Sequence, residues 1–166
     1  MAPGPREGSR GGPPSHGKAR FVEITVRNAQ RRFPVDVRRL ESLAGRGLKV
    51  LSMEGAQLSV LVVSDRRIRR LNRTYRQIDA PTDVLAFPQQ EGAGSELHPG
   101  LLGDVVLSAE TADRQAARPG WTLERELDTL LVHGLLHLAG FDHEASKEAR
   151  AEMNRWKRKI LRGWKG

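Results

Sequence analysis

Three of the five histidines in this 166-residue sequence, His133, His137 and His143, fall together in "HGLLHLAGFDHE" (133–144). Residues four apart on a helix share a face. His133 and His137 therefore project side by side if this segment is helical. Gly140 supplies the left-handed residue at which such a helix stops. The chain can then turn back and bring His143 to the other two. Three protein ligands with one position left open is the geometry of catalytic zinc, which lowers the pKa of bound water to about 7. The alternative is that these are packed core histidines. Burying three imidazoles without a metal leaves several ring nitrogens in need of partners. The sequence has no cysteine, so any metal here must use imidazole or carboxylate donors.

In the His-Glu-x-x-His helix of zinc proteases, the residue after the first histidine is the general base. Here that position is Gly134. A phosphodiester already carries charge, and a carboxylate beside the nucleophile would repel it. Gly134 therefore reads as an opening for a bulky anionic substrate. Asp142 and Glu144 are the candidates for proton transfer, and Asp83 and Asp104 for a supporting role behind the imidazoles. Each has a plainer reading: Asp142 as a turn former, Asp83 as a cap after Pro81, Asp104 as a strand residue. His16 and His98 have no ligand spacing and read as solvent-exposed. Trp156 and Trp164 read as packing residues.

The elements that must hold these groups follow from patterning. Residues 1–20, "MAPGPREGSRGGPPSHGKAR", contain no large apolar side chain after Met1 and read as a disordered basic extension. Residues 21–166 read as one domain. No apolar run has the length of a membrane span. The formal charge is +8, from 28 Lys and Arg against 20 Asp and Glu, which favours a polyanionic partner and nucleic acid first. The absence of cysteine fits a cytoplasmic protein.

"FVEITVRN" (21–28), "QLSVLVVS" (57–64) and "LLGDVVLS" (101–108) read as strands, and a shorter extended piece lies within 77–88. Helices are expected over 34–47, opened by Pro34 and closed by Gly47, over 65–76, over 109–118, from Thr122 to Gly140, and over 144–164. The segment 91–100 reads as a Gly-rich loop. In "DRRIRRLNRTYR" (65–76), Ile68, Leu71 and Tyr75 form one helical stripe, with Arg69, Asn72 and Arg76 beside it. The expected fold is α+β: a mixed sheet of about four strands packed with about five helices, one of them a zincin-like metal-binding helix.

These segments together resemble a known family. "HGLLHLAGFDH", with Phe141 at the aromatic position, is similar to the signature of the YbeY family of single-strand-specific metallo-endoribonucleases. So is the run Arg69, Leu71, Asn72, Tyr75, Arg76, Asp79 followed by "PTDVLAFP", and so is Leu102-Gly103-Asp104 leading into "LSAETA". The resemblance covers about residues 21–160. It implies that His133, His137 and His143 bind one Zn2+, and that Arg69 is the functionally important arginine, stabilising phosphate. It further implies attack by metal-bound water or hydroxide on the phosphodiester. The implied substrate is single-stranded RNA, in maturation of the 3′ end of small-subunit (16S) rRNA and in ribosome quality control, with the small subunit as partner. Arg73, Arg76, Lys157 and Arg158 are the candidate RNA contacts. The rival readings are a zinc metallopeptidase or amide hydrolase, and a non-catalytic ribosome-associated RNA-binding protein with a structural zinc.

Overall fold

The computed structural model describes residues 23–89 and 100–166. The expected N-terminal extension with His16, and the Gly-rich loop with His98 apart from Gly100, lie outside those residues. Among the described residues, no helix is long and apolar enough to cross a membrane.

The elements follow one another as β1 (Ile24–Asn28), α1 (Val37–Val50), β2 (Gln57–Val63), α2 (Asp65–Arg76), β3 (Val84–Pro88), β4 (Leu101–Ser108), α3 (Ala109–Ala116), α4 (Leu123–Leu138) and α5 (Lys147–Leu161). Every helix is opened by a short polar side chain. Asp36, Ser64, Ser108, Thr122 and Ser146 each accept from a backbone N–H three residues on, satisfying a donor that has no partner inside the helix. The first helix departs from expectation. It is capped by Asp36 rather than opened by Pro34, and it runs through Gly47. The leucine side chain of Leu135 on α4 occupies the place of a Cβ at Gly47, so this glycine marks a close helix–helix approach and not a stop.

The strands form one mixed sheet in the order β1-β2-β4-β3. β1, β2 and β4 run parallel, and β3 pairs antiparallel with β4. One face carries Leu58, Val60 and Val62 of β2 and Val105 and Leu107 of β4. These pack with Leu40, Leu43 and Leu48 of α1 and Leu131 and Leu135 of α4. Each such leucine, fully buried, contributes roughly 1.5–3 kcal/mol of transfer free energy. Among the described residues, α2 packs on the other face through a small cluster of Val63, Ile68, Leu85 and Val106.

Helix α4 is thus held by the main core along most of its length. Its end is also fixed. Gly140 adopts φ +95°. Its N–H donates to His137 O at 3.0 Å, and the Phe141 N–H donates to Leu136 O at 3.1 Å. These are the two bonds of a Schellman motif. The chain reverses there, and α5 begins after Ser146. Phe141 then packs near Trp156 of α5, with ring centroids 6.0 Å apart. The Trp164 indole N–H donates to Asp128 Oδ2 of α4 at 2.9 Å. Both tryptophans are packing residues, as expected.

Candidate metal centre

The Schellman turn returns His143 toward the paired histidines of α4. The ring centroids of His133 and His137 are 4.7 Å apart, and each lies 5.1 Å from that of His143. One nitrogen from each ring lies within 4.8 Å of the other two. His133 Nε2 and His137 Nε2 approach to 3.1 Å. The Nδ1 of His143 is buried without a hydrogen-bond partner among the described residues.

Charge state favours ligation as well. Burial above all, then the neighbouring His137, pushes the His133 imidazole down to about 4. Burial, then His143, lowers that of His137. Neutral imidazoles are what a metal requires. The residues present therefore fit a divalent cation. Three neutral imidazoles whose ring nitrogens converge crowd their lone pairs as a protein-only arrangement, and one ion can be held among them.

The three imidazoles open into a cavity of about 490 Å³, also lined by Arg76, Thr82, Asp83, Val84, Ala86, Gly134 and Glu144. Three donors beside such a space leave room for a further ligand. Asp83 is committed to local structure. Its Oδ1 accepts from the Val84 N–H at 2.8 Å and its Oδ2 from the Gln115 side chain at 3.1 Å. It also raises the His133 pKa against the downward influences, so it acts on that ring electrostatically. Asp142 forms the turn, its Oδ1 accepting from the Glu144 N–H at 2.9 Å. Glu144 carries the exposed carboxylate of the cavity, with Oε1 3.9 Å from His143 Nε2.

Several expected site residues stand elsewhere. Asp104 is not behind the imidazoles. Alternation along β4 puts Val105 toward α4 and Asp104 on the opposite face, where it lines a groove with Tyr75 and Phe87. Arg69 is not in the histidine cavity. It is exposed and donates from Nε to Asp79 Oδ1 at 2.9 Å and from a terminal nitrogen to Oδ2 at 3.1 Å. It lines a separate pocket with Arg66, Arg70 and Arg73. Arg76, one of the candidate RNA contacts, lines the histidine cavity. Arg69 and Arg76 lie seven residues apart, about 10 Å along the axis at 1.5 Å per residue. Asn72, between them, is buried. Its side-chain amide donates to Ala80 O at 2.9 Å and clamps the segment leading to Asp83. Lys157 is half-buried, and burial lowers its pKa. It contributes to depressing His133, but it does not line the cavity. Arg158 is exposed on α5.

Gly134 also departs from its sequence reading. A Cβ there would lie 2.8 Å from Val105 Cγ1 and 3.2 Å from Val84 Cγ2. The glycine is what allows α4 to press against β3 and β4. Its role is packing before it is access, and no glutamate fits at that position.

The family model described as "Endoribonuclease YbeY" matches residues 25–165. Curated proteins of that name are similar over most of their length. The one from Geobacter metallireducens is 43% identical over 130 residues, covering 78% of this chain and 87% of the relative. The one from Syntrophotalea carbinolica is 46% identical over 125 residues, covering 75% and 83%. The solution structure of TM1509 from Thermotoga maritima matches with a TM-score of 0.56 at 27% identity, covering 85% of this chain and 91% of that one.

Proposed function

Because the chain belongs to the endoribonuclease YbeY family, it is a hydrolase acting on RNA, and we propose that it is a zinc-dependent endoribonuclease specific for single strands. We place it in the cytoplasm, acting on the 3′ end of small-subunit (16S) rRNA and in ribosome quality control, with the small subunit as partner. The observation that carries the chemistry is one cavity shared by three imidazoles, an arginine and a free carboxylate.

His133, His137 and His143 would hold the ion. When bound, it supplies Lewis acidity and a nucleophile at neutral pH. Arg76 binds the scissile phosphate through its forked N–H groups and offsets the charge that develops on it. Arg76 is assigned the phosphate role expected of Arg69, an assignment supported by its place in the lining of the cavity. Glu144 accepts the nucleophile's proton and can return it to the leaving oxygen. Asp83 holds the field at His133. A single-stranded substrate leaves its phosphates free to enter the cavity without the second strand of a duplex against α2.

The peptidase reading lacks its base, because the position after His133 has no room for a side chain. A structural metal is less well supported, because the three donors border open space. The test is cleavage of unstructured RNA by metal-loaded wild type, His137→Ala, Arg76→Ala and Arg69→Ala. Loss in the first two variants with the fold retained supports the reading. Casein cleavage with intact RNA, or RNA cleavage surviving His137→Ala, would overturn it.

A further inference from the structure

Helix α2 carries arginine at 66, 67, 69, 70, 73 and 76 within its twelve residues. Arg69 alone has an ion-pair partner among the described residues. This arrangement is unfavourable in isolation. Like charges three and four residues apart repel, as at Arg66 and Arg70, Arg69 and Arg73, and Arg70 and Arg73. Cations at 66 and 67 also oppose the positive end of the helix dipole. Four of these side chains, Arg66, Arg69, Arg70 and Arg73, together with Asp79, line one pocket of about 300 Å³. The same helix ends at Arg76, in the histidine cavity.

We propose that this arginine pocket is a second phosphate-binding subsite, which holds the backbone of the single-stranded substrate away from the scissile bond. The inference rests on the RNA-cleaving reading of the histidine cavity. The two sites lie along one rigid helix, and Arg66 to Arg76 span about 15 Å at 1.5 Å per residue. A strand entering the cavity at Arg76 can therefore follow the helix over several nucleotides. Bound phosphates would relieve the repulsion among the arginines. They would also compete with Asp79, whose carboxylate is paired with Arg69 and held below the usual range chiefly by that hydrogen bond. An exposed pair of this kind is weak and yields readily to a phosphate. Asp79 thus lowers the pocket's affinity for anions.

The test is fluorescence anisotropy on the metal-loaded full chain. The probe is single-stranded DNA of about twelve nucleotides, within the range of known single-strand sites, which has the same phosphates but is no substrate for an endoribonuclease. Arg66→Gln/Arg70→Gln should raise the Kd about tenfold and leave trinucleotide binding unchanged. The slope of log K against log salt should fall by about 1.4, at about 0.7 per single-strand contact. Asp79→Asn should tighten binding. Unchanged affinity in the double variant, an equal loss for the trinucleotide, or weaker binding in Asp79→Asn would each overturn the subsite. So would equal binding, equally lost, of polyglutamate of the same charge, which would mark a docking surface for acidic protein. Because nothing is cleaved in this assay, an intact subsite with no nuclease activity, or the reverse, separates this inference from the functional reading.

Discussion

Replacing Gly134 by alanine adds one methyl group, and the structure sets its consequence. The new Cβ would lie 2.8 Å from Val105 Cγ1 and 3.2 Å from Val105 Cγ2 and Val84 Cγ2, against about 3.5–4.0 Å for a comfortable carbon contact. Val105 is 0% exposed in a central strand, and its branched side chain has little rotameric freedom. Overpacking of this kind costs about 1–3 kcal/mol. Alanine regains about 1 kcal/mol of helix propensity over glycine. The expected net loss is about 1 kcal/mol, or roughly 3 °C in Tm for a domain of this size. Function should suffer more than stability. Relief of the clash moves α4 off the sheet and carries His133 and His137 with it, while His143 is held by the turn and by α5. Metal affinity should fall about tenfold or more. Thermal unfolding by circular dichroism and titration with zinc measure both quantities. The double variant Gly134→Ala/Val105→Ala should recover metal affinity, because the methyl group then has space. Unchanged Tm and metal affinity in Gly134→Ala, with only KM raised, would refute the packing role and restore the view of Gly134 as a substrate opening.

Arg76→Ala should reduce kcat/KM on unstructured RNA by about 10²-fold, in the range for losing a preorganised donor. Its unfolding free energy should stay within about 0.5 kcal/mol of wild type because Arg76 is exposed; Arg69→Ala should cost less than about tenfold in steady-state cleavage of a short RNA. Metal affinity should be pH-dependent. In the metal-free protein His133 titrates near 4, below the ordinary value near 6.5, so the unfolded chain binds more protons between those values and apo stability rises with pH across that window. A chemical-denaturation series from pH 4 to 7 that showed stability falling over that range would contradict the sign. Asp128 is 3% exposed and joins Arg39 and the Trp164 indole. Asp128→Ala should therefore destabilise by about 3–5 kcal/mol, by stranding a partly buried guanidinium, with the metal ligands untouched; calorimetry with a zinc titration of the surviving fold checks this.

The elements were legible because their signals are local. Each helix start carried a capping side chain, and the three apolar segments read as strands stand in the sheet as β1, β2 and β4. The metal triad was legible for the same reason. A spacing of four, a stop glycine and a third histidine a few residues on leave the backbone few ways to place the rings. Helix α1 was less legible, because Gly47 reads as a stop in one dimension and as a contact with Leu135 in three. What the sequence could not decide was which groups meet the triad from elsewhere in the chain. Arg69 and Arg76 occupy the same helical stripe, so periodicity cannot separate them. Only the packing of α2 on the sheet through Ile68 puts Arg76 at the cavity. Asp104 has a definite parity within β4, but parity names no face until α4 covers the side that bears Val105. Gly134 looked like a deleted base, and its meaning came from two valines on other strands. The sequence by itself determined the donor set and the turn that gathers it. The tertiary structure determined the arginine, the carboxylate and the closeness of the sheet, because those depend on contacts between segments far apart in the chain.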